Sequence, residues 1–333
     1  MEIKTVSLKD YSSLRVGGEG ELVRITSLAE LIEALMYAKR TGLRTHILGE
    51  GTNTFFGDSP EKMLCIKNEI KGISFEQQPA GCKIQAASGE MWDDVVKLSV
   101  EKGLWGLENL SYIPGTVGAA PVQNIGAYGT ELADVFVSLS AVDCETLAVV
   151  EITKEACNFG YRDSLFKQEK NKYIIVSVTI ELSQQPHPVL TYKPLDSLSG
   201  IENLQPSQVR ELVVATRTAK LPDYKIYPNT GSFFKNPVVS RAQGEALRAM
   251  YPDIPLIEGG KGYKIPAAWL VEHIAQMKGV RMGNVGTWPS QPLVIVNYGQ
   301  ADAEEIIKFS DHISNTINVA TGIALEREVN YIR

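Results

Sequence analysis

SYIPGTVGAAPVQNIGAYGTE, residues 111–131, is the stretch that says most about the fold. It holds four glycines and two prolines but only one charged residue. Glycine at this density marks backbone that needs positive φ or approaches a ligand closely, and proline fixes the turns between. A solvated linker is the alternative, but linkers are rich in Ser, Lys and Glu. The apolar residues of this stretch are Ile113, Val117, Val122, Ile125 and Tyr128. We therefore expect a buried loop that binds a ligand.

Length and composition limit the class of protein. The 333 residues, 44% hydrophobic and 22% charged, predict a soluble globular chain of two or three domains. A net charge of -6 argues against nucleic acid as the main partner, because phosphate binding needs a basic surface. No apolar run has the length of a signal peptide or a membrane span, so we expect a cytoplasmic protein with no membrane partner. The four scattered cysteines form no CxxC pair, so neither a disulfide framework nor a metal site is expected.

Near the N-terminus a helix is followed by a strand and then a polar turn. Ser27 and Glu30 form a capping signal ahead of an apolar helical face, and Gly42 ends the helix. The short apolar strand 45–48 runs directly into Gly49-Glu50-Gly51-Thr52-Asn53. Backbone N–H groups of such a turn can hold an anion, which makes it a candidate pyrophosphate site. Most short glycine turns after strands bind nothing, so the turn alone leaves this open.

The remaining pattern mixes strands and helices. It predicts a helix over 92–100, a hairpin of strands 135–143 and 147–152, and a long helix over 302–319. No GxGxxG opens a helix after a strand, which disfavours a Rossmann dinucleotide fold. Three prolines between residues 184 and 194 precede a change of pattern, and we expect a domain boundary near 195–206.

Six motifs, in order along the chain, resemble those of one family. They are LGEGTN at 48–53, IPGTVGAAPVQNIGAYGTE at 113–131, FGYRDSLFK at 159–167, GSFFKNPVVS at 231–240, AAWLVE at 267–272 and LEREV at 325–329. The resemblance is to the UDP-N-acetylenolpyruvoylglucosamine reductases (MurB), flavoenzymes of peptidoglycan precursor synthesis. LTY at 190–192 looks like the tyrosine loop of the longer, type I branch. Two departures are small: Thr52 stands where the family usually has Ser, and Arg327 where many members have Pro.

The resemblance implies an α+β fold. Residues 1–200 would form a two-lobed FAD-binding domain of the vanillyl-alcohol-oxidase (PCMH) type, with lobes of about 1–68 and 69–200, and residues 207–333 a smaller α+β substrate domain. It also implies noncovalent FAD, NADPH as hydride donor, and reduction of the enolpyruvyl double bond of a UDP-sugar. We expect a monomer.

Three residues match the catalytic positions of the family. Arg162 would stabilise the negative charge that hydride delivery leaves beside the substrate carboxylate, because a guanidinium pairs with a carboxylate through two hydrogen bonds. Ser232 matches the proton donor, and Glu328 the catalytic carboxylate. Considered alone, Arg162 reads as a surface ion pair with Asp163, Ser232 as a turn or capping serine, and Glu328 as an exposed strand residue. Glu326 is the alternative if the register is shifted.

The family positions also give two sets of binding residues. The expected FAD-binding residues are Gly49, Glu50, Gly51, Thr52, Asn53, Ile113, Pro114, Gly115, Gly118, Ala119, Gln123, Asn124, Gly126, Ala127 and Tyr128. The expected substrate-binding residues are Tyr161, Tyr192, Lys220, Asn236 and Gln291.

Two other functions remain open at this point. The first is an FAD oxidase or dehydrogenase acting on a sugar or hydroxy acid, which should lack the pair Ser232 and Glu328. The second is a non-catalytic nucleotide-sugar sensor, which should carry no yellow chromophore.

Overall fold

The computed structural model describes residues 1–260 and 262–333, which fall into two compact units. The first unit contains residues 1–6, 20–50 and 62–219, and the second contains residues 7–19, 51–61 and 220–333. The chain therefore crosses between the units several times. The last crossing falls between Ala219 and Lys220, one helix later than the boundary expected near 195–206.

A four-stranded sheet forms one lobe of the first unit. In sheet order its strands are Ile3–Ser7, Glu19–Ile25, Met63–Asn68 and Arg44–Leu48, and the last three are parallel. The helix Leu28–Thr41 buries its apolar face in the same core. The Ser27 hydroxyl accepts the N–H of Glu30, and Gly42 ends the helix at φ +69°, which confirms the predicted helix ends.

A five-stranded antiparallel sheet forms the other lobe. In sheet order its strands are Val149–Thr153, Phe136–Asp143, Tyr173–Ser183, Gly81–Ala87 and Ile73–Gln78. The predicted hairpin is confirmed by the first two, which pair in antiparallel register. The helix Trp92–Glu101 joins this core through the buried Trp92, whose Nε1 donates to the carbonyl oxygen of Leu110 at 3.0 Å. Short helical turns connect the elements: Glu108–Leu110, Val117–Ala119, Pro121–Gln123, Leu132–Val135 and Leu165–Gln168.

The helix Pro206–Lys220 explains the late crossing. Its buried Val209 and Val213 share a small core with Trp105 of the first unit, and a helical turn at Leu195–Leu198 contributes to the same core. Arg210 adds a two-pronged ion pair to Asp93, with distances of 2.7 and 2.9 Å. Composition changes near residue 195, but packing holds the helix to the first unit.

The second unit has its own sheets and core. Its largest sheet has the strand order Asn229–Ser232, Gln291–Asn297, Val285–Trp288 and Arg281–Met282. A second sheet has the order Val238–Val239, Gly262–Lys264 and Ile257–Gly259, and Thr54–Phe56 pairs in parallel with Asn330–Ile332. The core of this unit includes Leu14 and Phe55 from the early segments of the chain.

Side-chain caps begin two helices of the second unit. The Asp302 side chain accepts the N–H of Glu305 at the start of Ala303–Thr321, and the Ser240 hydroxyl accepts the N–H of Gln243 at the start of Arg241–Met250. Pro266 precedes the short helix Ala267–Trp269, which continues as a π-helical turn, Leu270–Ile274. Within the described residues, no helix combines the length and apolar composition that crossing a membrane requires.

Candidate active site

The glycine-rich loop is built from short turns. It contains the turns Val117–Ala119 and Pro121–Gln123 and a small ribbon in which Gly126–Ala127 pairs with Thr130–Glu131. Three residues other than glycine have positive φ: Tyr112 at +59°, Asn124 at +43° and Tyr128 at +49°. Backbone of this kind is strained, and such strain concentrates at functional sites.

Two glycines let the loop approach its neighbours. A Cβ on Gly49 would lie 2.4 Å from Thr116 Oγ1, and a Cβ on Gly118 would lie 2.6 Å from Ser88 Cβ. Glu50 adds a direct link, because its carboxylate accepts the N–H of Gly115 at 2.6 Å. The end of strand Arg44–Leu48 and the loop are therefore joined within the first unit.

The turn that carries Arg162 is attached to the same loop by side chains. Asn124 Nδ2 donates to the Gly160 carbonyl oxygen at 3.2 Å, and Ser164 Oγ donates to the Val122 carbonyl oxygen at 2.7 Å. Arg162, with φ +53°, donates from Nη2 to the Gly126 carbonyl oxygen at 2.8 Å. The structure therefore brings together Arg162 and two of the expected FAD-binding residues.

Arg162 lies over Tyr161, with its guanidinium carbon 5.6 Å from the ring centroid. The neighbouring Asp163 carboxylate accepts hydrogen bonds from the Ser164 N–H at 3.0 Å and from Gln168 Nε2 at 2.8 Å. Both carboxylate oxygens of Asp163 are thus engaged within its own turn. Tyr161 itself is 39% exposed.

Ser232 and Glu328 lie on segments that are paired through their backbones. The Glu328 N–H donates to the Phe233 carbonyl oxygen at 2.8 Å, and the Lys235 N–H donates to the Glu326 carbonyl oxygen at 2.9 Å. Within residues 1–260 and 262–333 the Ser232 hydroxyl makes no hydrogen bond. The second unit therefore brings the expected proton donor and carboxylate to adjoining segments of the chain.

The two glutamates of this segment have different surroundings. Glu326 forms an ion pair with Lys235 and is largely exposed. Asn53 Nδ2 donates to the Glu328 carbonyl oxygen at 3.4 Å, which brings one expected FAD-binding residue to the backbone of Glu328. Between them, Arg327 donates to Ser310 Oγ and, at 2.5 Å, to Asp311 on the helix Ala303–Thr321.

Two features of the second unit suit bound ligands. The N–H groups of Gly51 and Thr52 donate no hydrogen bond within the described residues, although Gly51 is buried. Adjacent unused N–H groups beside a residue with φ +78° can bind a phosphate oxygen, so this turn fits the FAD pyrophosphate. Gln291 Oε1 is also buried and has no partner in that part of the chain, as expected for a group that contacts a ligand.

The other expected substrate residues differ in their present contacts. Asn236 Oδ1 accepts the N–H of Ala267 at 2.8 Å and so caps the helix that follows Pro266. Lys220 is exposed at the end of the helix Pro206–Lys220. Tyr192 is 51% exposed, and a Cβ built on Gly129 would lie 3.0 Å from two of its ring carbons.

Two cations beside the candidate site were not predicted from the sequence. Arg217 donates from Nε to the Tyr112 carbonyl oxygen at 3.1 Å, and burial lowers its pKa while the nearby Tyr128 opposes this change. Lys67 donates from Nζ to the Gly49 carbonyl oxygen, and burial lowers the pKa of this amine against the opposing charges of Glu69 and Glu50. Neither residue lies in a motif, and only the folded chain places them at the glycine-rich segments.

Two family models and a solved structure match this chain. Residues 21–151 match an FAD binding domain, and residues 222–332 match the C-terminal domain of UDP-N-acetylenolpyruvoylglucosamine reductase. The crystal structure of UDP-N-acetylenolpyruvylglucosamine reductase from Thermus caldophilus superposes with a TM-score of 0.71 at 23% identity and covers 100% of both chains. The fold is therefore the α+β fold of that reductase, with an FAD-binding domain and a C-terminal domain, and the expected α+β class is confirmed.

Curated relatives identify the family. The UDP-N-acetylenolpyruvoylglucosamine reductase of Shigella boydii is 38% identical over 329 residues, which are 98% of this chain and 95% of that protein. The enzyme of the same name from Pseudomonas aeruginosa is 39% identical over 332 residues, covering 97% of each chain. This chain belongs to the UDP-N-acetylenolpyruvoylglucosamine reductase family.

Proposed function

We propose that this protein reduces the enolpyruvyl double bond of UDP-N-acetylglucosamine enolpyruvate to give UDP-N-acetylmuramate in peptidoglycan precursor synthesis. NADPH is the hydride donor, and the protein acts as a cytoplasmic monomer with noncovalent FAD. Family membership over nearly the whole chain supports the reaction class. The observation that carries the chemistry is the backbone pairing of the segments holding Ser232 and Glu328.

Bound FAD would accept a hydride from NADPH and deliver it to the substrate. The turn Gly51-Thr52 would hold its pyrophosphate through the two unused N–H groups, with Glu50 and Asn53 as neighbours. The loop from Ile113 to Tyr128 would line the rest of the cofactor, with Arg217 as an additional cation beside it. The pyrophosphate role is supported by the two N–H groups that donate no hydrogen bond within the described residues. The role of Arg217 is supported by its bond to Tyr112 at the start of the glycine-rich loop.

Arg162 would bind the substrate carboxylate and stabilise the charge that develops when the double bond is reduced. Its guanidinium is oriented for this by the bond to the Gly126 carbonyl oxygen and by the Tyr161 ring. Tyr192, Lys220, Asn236 and Gln291 would bind the sugar nucleotide. Of these, Gln291 has the strongest local support, because its buried Oε1 is unpaired within the described residues.

Ser232 would protonate the carbon that carries the carboxylate. A serine hydroxyl is a weak acid, so the step depends on a strongly basic substrate carbanion and on the charge around it. Glu328 would act beside it, since their segments adjoin.

Two half-reactions test the proposal. The purified protein should be yellow, should release FAD on acid precipitation, and should lose its flavin absorbance on anaerobic addition of NADPH. Addition of the enolpyruvyl UDP-sugar should then restore that absorbance and yield a product two mass units heavier. A reduced flavin that only oxygen or another acceptor reoxidises would contradict the proposed substrate, and a colourless protein that FAD cannot reconstitute would contradict the flavoenzyme assignment.

A further inference from the structure

Side chains hold the backbone of Tyr112 on both sides of its Cα atom. The Tyr112 N–H donates to Asp93 Oδ1 at 2.5 Å, and the Tyr112 carbonyl oxygen accepts the N–H of Arg217 Nε at 3.1 Å. Tyr112 has φ +59°, a left-handed conformation that a residue with a Cβ atom adopts only against steric strain. The two hydrogen bonds therefore oppose relaxation of a strained residue directly before Ile113, the first expected FAD-binding residue of the loop.

Asp93 also connects this turn to the helix Pro206–Lys220. Its carboxylate accepts hydrogen bonds from Arg210 Nη1 at 2.7 Å and from Arg210 Nη2 at 2.9 Å. Arg210 and Arg217 are seven residues apart, which is about two helical turns, so they project from the same face of the helix. That face is thus fastened to Tyr112 twice, directly by Arg217 and through Asp93 by Arg210.

Arg217 has most of its hydrogen-bonding capacity unused. Its Nε donates to Tyr112, but within the described residues its two amino groups, Nη1 and Nη2, donate no hydrogen bond. Burial lowers the pKa of this guanidinium, the neighbouring Arg162 lowers it further, and Tyr128 and Asp93 raise it. A cation with four unused N–H groups therefore lies at the part of the loop that carries Arg162 and an expected FAD-binding residue.

We propose that Asp93 is a positioning residue for the flavin: with Arg210 it fixes the Tyr112 turn, and through that turn it keeps the amino groups of Arg217 directed at bound FAD. The proposal rests on the FAD-binding role proposed above for the glycine-rich loop. A cation near the flavin ring stabilises the reduced flavin, which carries a negative charge, more than the neutral oxidised flavin. Asp93 should therefore influence the reduction potential of bound FAD without contacting it.

Removal of the Asp93 carboxylate has two opposite electrostatic consequences. Loss of a negative charge, taken alone, makes the surroundings of the flavin more positive, which would raise the reduction potential. Displacement of Arg217 takes a cation away from the flavin, which would lower the potential. A loop that is merely loosened would weaken the binding of oxidised and reduced flavin alike and leave the potential unchanged. A lower potential is therefore specific to the positioning role.

Asp93→Ala is the main test, and Asp94→Ala is its matched control. Asp94 lies in the same first turn of the helix Trp92–Glu101, is exposed and makes no hydrogen bond within the described residues. In the holoenzyme without sugar nucleotide, two-electron reduction of the flavin should become about tenfold less favourable in Asp93→Ala, a fall of about 30 mV in midpoint potential. Asp94→Ala should match the parent protein. An unchanged or raised potential in Asp93→Ala would overturn the proposal, whereas a colourless parent protein would contradict the flavoenzyme assignment instead.

Two further variants keep the test decisive if Asp93→Ala does not fold. Asp93→Asn retains an oxygen that can accept the Tyr112 N–H, and should lower the potential in the same direction by a smaller amount. In an Arg217→Gln background neither Asp93 variant should lower the potential any further, because the cation that Asp93 positions is gone. A fall that persists in that background would contradict the proposal.

Discussion

Arg162 and the pair Ser232 and Glu328 are held in place by different parts of the polypeptide. Side chains hold the Arg162 turn, chiefly Asn124, Ser164 and the guanidinium itself. Backbone N–H and carbonyl groups hold the segments of Ser232 and Glu328. A backbone hydrogen bond survives most substitutions, whereas a side-chain bond is lost with its residue. We therefore expect the position of Arg162 to be far more sensitive to mutation than that of Ser232.

Ser232→Ala should have the largest effect on rate and almost none on stability. Flavin reoxidation by the UDP-sugar should slow by about 10²- to 10⁴-fold, the range of a lost general acid. NADPH reduction of the flavin and the melting temperature should stay near those of the parent protein, because backbone bonds position this segment. Stopped-flow traces in which both half-reactions slow alike would show that Ser232 serves structure or cofactor binding.

Asn124→Ala should have the largest effect on stability. Asn124 is 1% exposed and bonds to Glu131 Oε2, to the Gly160 carbonyl oxygen and to the N–H of Ala133. Removing it leaves these part-buried groups without their partner and puts alanine at φ +43°, which should cost about 2–4 kcal/mol in the free energy of unfolding. Denaturant unfolding measures this loss. Asn330→Ala is the control, at an exposed asparagine close to Glu328, and should cost less than about 1 kcal/mol. Equal losses in the two variants would contradict the expected difference in sensitivity between the Arg162 turn and the Glu328 segment.

Lowering the pH should destabilise residues 111–131, which side chains hold in place, before it destabilises residues 326–330, which backbone hydrogen bonds hold. Asp93 accepts hydrogen bonds from Arg210 and from the N–H of Tyr112 at the start of the glycine-rich loop. Burial raises the pKa of Asp93, but these bonds and the Arg210 charge lower it overall. Its contribution to stability is therefore present above the unfolded pKa near 3.9 and is lost as pH falls through the lower folded value.

Hydrogen exchange between pH 5 and pH 3 tests this. Protection of residues 111–131 should decline before protection of residues 326–330, and Asp93→Asn should shift the same decline to neutral pH. The contribution is about 1 kcal/mol, because the pair is partly exposed. If residues 111–131 and 326–330 lost protection at the same pH, the two segments would not differ in their dependence on side-chain contacts.

Arg327→Pro should have the smallest effect. Arg327 lies opposite Phe234 in an isolated antiparallel β-bridge. The backbone hydrogen bonds of this bridge are donated by the N–H groups of the next residues, Glu328 and Lys235. Proline at 327 therefore removes no backbone bond between these segments, which fits the proline of many family members. Only the side-chain bonds to Ser310 and Asp311 are lost, at about 1 kcal/mol or less. Arg327→Ala is the control, and a much larger loss for proline would mean that proline at 327 disrupts the pairing of these segments.

Local signals predicted the elements but not how the chain is divided. The cap at Ser27 and the stop at Gly42 depend on neighbouring residues, so the sequence displays them directly. The burial of Phe55 beside Phe233 depends on contacts nearly 180 residues apart along the chain, which no local pattern encodes. For that reason the repeated crossings between units were not foreseen.

The candidate site shows the same limit. Resemblance supplied the positions of Arg162, Ser232 and Glu328, and these roles stay predictions. Asn124 and Ser164, which hold the Arg162 turn, lie inside recognised motifs, but Lys67 and Arg217, which contact the glycine-rich segments, lie outside every motif. Their importance comes from distances that only the folded chain provides.

The repeated crossings also affect the order in which the protein can fold during synthesis. Leu14 and Phe55 leave the ribosome among the first residues, yet they are fully buried in a core completed by residues beyond 220. Until the last third of the chain has been made, these side chains have no native core to enter, and the nascent chain must keep them soluble by other means. Most of the first unit can form before that point, so translation itself separates the two units in time, although the sequence interleaves them.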